Sequence, residues 1–156
     1  MEGVLANFFV AVLAAMLIVA ATGDLRSRRI PNWLNLAIAL TAIPFWWMSG
    51  LSLWPDVAVQ IGIAAAVFGF FFILFVLGMM GGGDVKLLAA LGLWLPLASV
   101  IKLLVIMAIA GGVLTVAMLI PHRMLKSAGN PEIPYGIAIA FGGLWLIGER
   151  FLNHFS

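Results

Sequence analysis

Asp24 and Asp84 are two of only six acidic residues in a 156-residue chain, and each stands at the end of a long apolar run. Asp24 closes the first run in Gly23-Asp24-Leu25-Arg26-Ser27-Arg28-Arg29-Ile30-Pro31-Asn32, and Asp84 follows three glycines, Gly81-Gly82-Gly83, and opens the next run. Carboxylates in or beside a bilayer are costly and tend to mark chemistry or transport. Two that lie close together cannot easily both ionise, so they share a proton and titrate as a unit. The ionised partner can then take a proton from water as it attacks a scissile carbonyl, while the protonated partner donates to the carbonyl oxygen and later to the leaving amine. That is aspartyl protease chemistry, and it needs no metal, cysteine or serine.

Each aspartate also has a plainer reading. An aspartate ahead of an apolar run is a good helix N-cap, and Asp84 before Val85-Lys86-Leu87 fits that role. Asp24 could simply pair with Arg26 or Arg28. The combination of Asp24 with Ile30-Pro31-Asn32 and of Asp84 with a glycine run is more specific than either carboxylate alone.

The elements that must position them are membrane helices. The chain is 65% hydrophobic and 9% charged, against roughly a quarter charged in a soluble domain. It reads as one integral membrane domain over residues 1–156, with no room for a separate soluble catalytic domain. With no cysteine, disulfides, thiolate nucleophiles and cysteine-based zinc sites are excluded. The net charge of +2 is explained by how basic residues divide between loops, and no nucleic-acid role is inferred. Six apolar stretches are separable: 4–22, 33–48, 57–80, 85–97, 99–120 and 135–147. The first has Glu2 and no basic residue ahead of it, so it reads as a retained span rather than a secretory signal. Continuous apolar runs without period-2 alternation favour helices, giving an all-α six-transmembrane-helix bundle.

Arg26, Arg28, Arg29, Lys86, Arg123 and Lys126 follow helices one, three and five, against Lys102 and Arg150 on the other side. The positive-inside rule puts the first group in the cytoplasm and both termini on the outer side. Trp46, Trp47, Trp54, Trp94 and Trp145 then fall near the outer interface, and Trp33 and Tyr135 near the inner one. Asp24 and Asp84, distant in sequence, share the inner face. The fourth stretch spans only about 20 Å against a hydrocarbon core of about 30 Å, so Asp84 is expected in a recessed, wettable crevice.

In these blocks the sequence resembles the type IV prepilin peptidases, intramembrane aspartyl proteases of the GxGD class. The resemblance lies in Asp24 with Arg28-Arg29-Ile30-Pro31-Asn32, in Gly81-Gly82-Gly83-Asp84-Val85-Lys86-Leu87, and in Pro134-Tyr135-Gly136-Ile137-Ala138. The short length is similar to the members that serve Flp (Tad) pili. The resemblance implies a multi-pass protein of the bacterial inner membrane whose active site faces the cytoplasm. It implies removal of the prepilin leader peptide after a glycine, just before the substrate's hydrophobic N-terminal helix, by Asp24 and Asp84. Larger members also methylate the new N-terminus and carry an extra region with paired cysteines; methylation is not expected here.

Supporting roles are expected for Gly81 and Gly83 in shaping the approach to Asp84, for Lys86 in tuning the carboxylates or anchoring topology, and for Asn32 in bonding near Asp24 or capping helix two. Pro134, Tyr135 and Gly136 are expected to shape the start of helix six. His122 and His154 lack metal-ligand spacing, and neither a metal nor a cofactor is expected. Gly111 and Gly112 are expected to permit tight helix packing. The partners are a prepilin and membrane lipid; oligomeric state is left open. The competing reading is a small proton-coupled transporter or channel subunit, which should carry its acids near mid-bilayer and show inverted repeats; a pilus-assembly scaffold is a third.

Overall fold

The computed structural model describes residues 2–124 and 135–152, and the side chains of 3–117 and 135–151 among them. Six α-helices account for nearly all of these: α1 Glu2–Ser27, α2 Asn32–Met48, α3 Ala58–Val76, α4 Gly82–Gly92, α5 Leu97–Met124 and α6 Tyr135–Leu152. A short irregular turn at Leu53–Val57, with Trp54 extended, leads into α3. Three helical stretches among the described residues, Gly3–Ser27, Leu53–Val76 and Leu97–Ala117, are long and apolar enough to cross a membrane. This is an all-helical membrane protein.

The helices pack through narrow stripes. On α1 the buried residues are Ala6, Val10, Leu13, Leu17, Ala20 and Asp24, which alternate by four and three and so share one helical face. Asp24 occupies the last inward position of that stripe. α4 differs because it has neighbours on almost every side: it packs on α3, α2 and α6 and lightly on α5, while α1 packs on α2 and α6, and α5 on α6. Of its 11 residues, Asp84, Val85, Leu87, Leu88, Ala90, Leu91 and Gly92 are buried. At roughly 16 Å it is far shorter than a hydrocarbon core.

A short central helix leaves polar backbone at depth, and neighbouring side chains satisfy it. The Leu93 carbonyl, at the C-cap of α4, accepts from Trp46 Nε1 at 2.7 Å and from Gln60 Nε2 at 3.2 Å. Trp94 Nε1 donates to the Ile38 carbonyl at 2.8 Å, and its ring stacks on Phe45 at 4.7 Å. Trp46 and Trp94 therefore depart from the exposed placement expected of interfacial anchors: both are buried, because the Trp46 indole N–H closes the end of α4 and that of Trp94 reaches a carbonyl of α2. Trp33, Trp47, Trp54 and Trp145 are exposed. Close helix approach is visible at Gly92, where a Cβ would lie 3.0 Å from Ala64 Cα. Of the α5 pair, Gly111 meets the Tyr135 ring, whereas Gly112 faces open space and takes no part in packing.

Candidate active site

Asp24 is 4% exposed and Asp84 9%, yet both line one cavity of about 650 Å³ together with Ser27, Arg28, Arg29, Gly81 and Tyr135. A smaller recess of about 230 Å³ is walled by the same two aspartates, Arg28, Arg29, Ile30 and Gly81 to Gly83. The two carboxylates repel one another, and Arg28 attracts Asp24. Two acids are thus held almost out of bulk water and within reach of a shared void.

The first is placed by two helix ends. The Arg28 amide donates to the Asp24 carbonyl at 2.9 Å and closes the last turn of α1. Arg28 itself adopts φ 51°, the left-handed conformation that ends helices and that non-glycine residues seldom adopt. The chain then reverses into Ile30 and Pro31. On the other side, the Asp24 Oδ2 accepts from the Ile137 amide at 3.2 Å. Ile137 lies in the first turn of α6, where amide groups lack partners within their own helix and attract anions. A Cβ at Gly136 would stand 2.7 Å from Asp24 Oδ2 and 2.8 Å from Ile30 Cδ1, so only glycine lets α6 come this near.

Asp84 is placed by the glycine run. The N-cap of α4 is Gly81, and Asp84 is the third residue of the helix rather than its N-cap. Its carboxylate folds back on Gly81, where a Cβ would lie 3.0 Å from Oδ2. Gly83 is pressed against Ile30, with a Cβ position 3.2 Å from the Ile30 Cβ. Ile30 therefore touches the glycine before one aspartate and, through Gly136, the helix that bonds the other.

The remaining expected residues divide. Tyr135 lines the larger cavity and Gly136 abuts Asp24. Lys86 Nζ donates to Asn32 Oδ1 at 2.8 Å in an exposed contact; the pair ties α4 to α2 and lies outside both cavities. Asn32 neither bonds near Asp24 nor caps α2, whose N-cap is Pro31. Pro134 lies outside the described residues, as do Lys126 and His154. No three His, Asp or Glu side chains among the described residues gather to hold a metal ion.

One residue escaped the sequence reading. Asn35 is 5% exposed, and its Nδ2 donates to the Gly83 carbonyl at 3.1 Å, fixing the backbone ahead of Asp84. Its Oδ1 is buried without a partner among the described residues. An asparagine inside the apolar run 33–48 was the available signal, since a polar side chain within a membrane helix is itself a functional flag.

An all-helical membrane protein with two buried carboxylates on one cavity defines a narrow class. A family model described as the type IV leader peptidase family matches residues 11–116, and the chain belongs to that family. No curated protein and no solved structure matches it. The family implies a protease that processes leader peptides. The matched stretch contains both aspartates and ends before α6.

Proposed function

We propose that the protein is an aspartyl endopeptidase that removes the leader peptide of Flp-type prepilins, with Asp24 and Asp84 as its catalytic pair. The observation that carries this reading is that the two carboxylates, from α1 and α4, line a single cavity. A water held between them loses a proton to the ionised carboxylate as its oxygen bonds the scissile carbonyl carbon. The protonated carboxyl donates to the carbonyl oxygen, and collapse of the tetrahedral intermediate breaks the C–N bond as a proton passes to the leaving amine. The products are a leader ending in a carboxylate and a pilin with a new amino terminus. Gly81 and Gly136 serve by letting backbone approach the carboxylates and Gly83 by letting α4 meet Ile30, Tyr135 stands on the cavity wall, the Lys86–Asn32 bond ties α4 to α2, and Pro134 carries the supporting role that its sequence block implies.

In this reading all six helices sit in the bacterial inner membrane, both termini face outward, and the aspartates lie at the cytoplasmic face. Arg28 and Arg29 line the same cavity, and Arg26 and Lys86 lie within two residues of an aspartate in sequence, which supports that orientation. The substrate presents its leader in the cytoplasm and its own hydrophobic helix beside α1 and α4. Asp24→Asn and Asp84→Asn each keep hydrogen-bonding capacity but remove the acid or base. Each is expected to abolish leader removal from a co-expressed prepilin while the peptidase persists in the membrane at wild-type level. Normal processing by either variant defeats the assignment.

A further inference from the structure

The end of the bundle opposite the aspartates carries a second polar cavity, of about 570 Å³, whose walls include Phe45, Asp56, Gln60, Trp94 and Arg150. Its charges are arranged unusually. Near it, Lys102 and Glu149 satisfy one another at 3.3 Å, but among the described residues Asp56 and Arg150 have no oppositely charged partner although they face the same void. The Arg150 guanidinium rests on the Phe45 ring, 5.5 Å from its centroid, which fixes the cation while its N–H donors have no acceptor among the described residues. Ser52 fixes the anion, donating to Asp56 Oδ2 from its amide at 3.0 Å and its hydroxyl at 2.8 Å, so Oδ1 remains available. Gln60 is 8% exposed, its Nε2 engaged by Leu93 and its Oε1 an unused acceptor on the same wall.

A cavity with a fixed fork of donors at one point and acceptors at another matches a zwitterion with an anionic group and an N–H-bearing cation. The location selects the source. This void is lined by the end of α2 and by the start of the apolar stretch Leu53–Val76, segments that also carry Trp47 and Trp54, which are 80% and 81% exposed, and exposed indoles at the ends of membrane helices sit at the level of lipid headgroups. We propose that the cavity binds the phosphoethanolamine headgroup of a phospholipid, its phosphate on the Arg150 guanidinium and its ammonium between Asp56 and Gln60. Arginine suits a phosphate through paired N–H···O bonds. The acceptors distinguish ethanolamine from choline, because a trimethylammonium has no N–H to give them. Phe45, Leu51 and Val59 supply apolar wall for the start of the acyl chains.

Native mass spectrometry of the full-length protein, with phosphatidylethanolamine, phosphatidylglycerol or phosphatidylcholine added in turn, tests this. One phosphatidylethanolamine is expected to stay bound, with the other two retained about tenfold less, the scale of one charge-assisted hydrogen bond. Arg150→Gln and Asp56→Asn should each lower its retention by a similar factor, and Lys102→Gln should not. Equal retention of phosphatidylglycerol by the wild-type protein overturns the proposal without recourse to any variant. So does unchanged retention in both cavity variants. Soluble glycerophosphoethanolamine that competes at concentrations equal to the lipid's would overturn the lipid source.

Discussion

Gly136→Ala adds one carbon at the place where α6 meets Asp24, and its effect can be worked through atom by atom. The new Cβ would lie 2.7 Å from Asp24 Oδ2, 2.9 Å from its Cγ and 2.8 Å from Ile30 Cδ1. Ile30 can yield by turning a terminal methyl, but the carboxylate cannot move without lengthening its 3.2 Å bond to the Ile137 amide. Overpacking of this kind costs about 1–3 kcal/mol. Alanine's better helix propensity returns up to about 1 kcal/mol, so the folded protein loses little. Catalysis is far less tolerant, because a displacement of about 1 Å can cost on the order of a hundredfold in rate. The expected result is near-normal thermal unfolding in detergent with prepilin cleavage slowed about a hundredfold, measured with purified enzyme and substrate. Gly148→Ala, where a Cβ meets nothing within 4 Å, should leave the rate unchanged. Wild-type cleavage by Gly136→Ala would show that Asp24 does not react from the position in which α6 holds it.

Asn35→Leu removes the side-chain donor to the Gly83 carbonyl together with a buried acceptor that has no partner among the described residues, so the two effects offset and the unfolding midpoint should move by less than the equivalent of about 1 kcal/mol while cleavage falls; wild-type cleavage would remove Asn35 from the support of Asp84. Gly92→Val should be among the most damaging single changes to stability, because the clash is with Ala64 backbone that cannot rotate away; normal accumulation in the membrane would contradict the packing of α3 on α4. Lys102→Ala breaks a pair whose side chains are 59% and 41% exposed, so a change above about 1 kcal/mol in detergent unfolding would be out of line with exposed ion pairs.

Much of the architecture was legible in the chain because lipid leaves the backbone few options. Continuous apolar runs broken by Pro, Gly and charge marked the six helices to within about five residues at each end, whereas the inward face of α1 was hidden because that helix is apolar all round. The glycines before Asp84 signalled close approach. Less accessible was what each glycine approaches: that Gly83 meets Ile30 and Gly136 meets Asp24 depends on helices far apart in sequence. Asn32 and Lys86 sit in the motif blocks, yet they bond each other on the surface, since a long lysine side chain reaches from one helix start to another. Trp46 and Trp94 misled because an indole at a helix end has two uses, anchoring in headgroups or bonding a buried carbonyl, and only the shortness of α4 decides between them.

That shortness has a mechanical corollary. α4 is pinned at one end through the Leu93 carbonyl and the Trp94 indole, and at the other through the Gly83 carbonyl, so it behaves as a post seated in sockets rather than a sliding rod. Asp84 therefore stands on a backbone fixed at both ends, and Asp24 is held from the far side by the Ile137 amide, one turn before the left-handed Arg28 that ends its helix. If the two acids act as proposed, a peptide meets both already set in place.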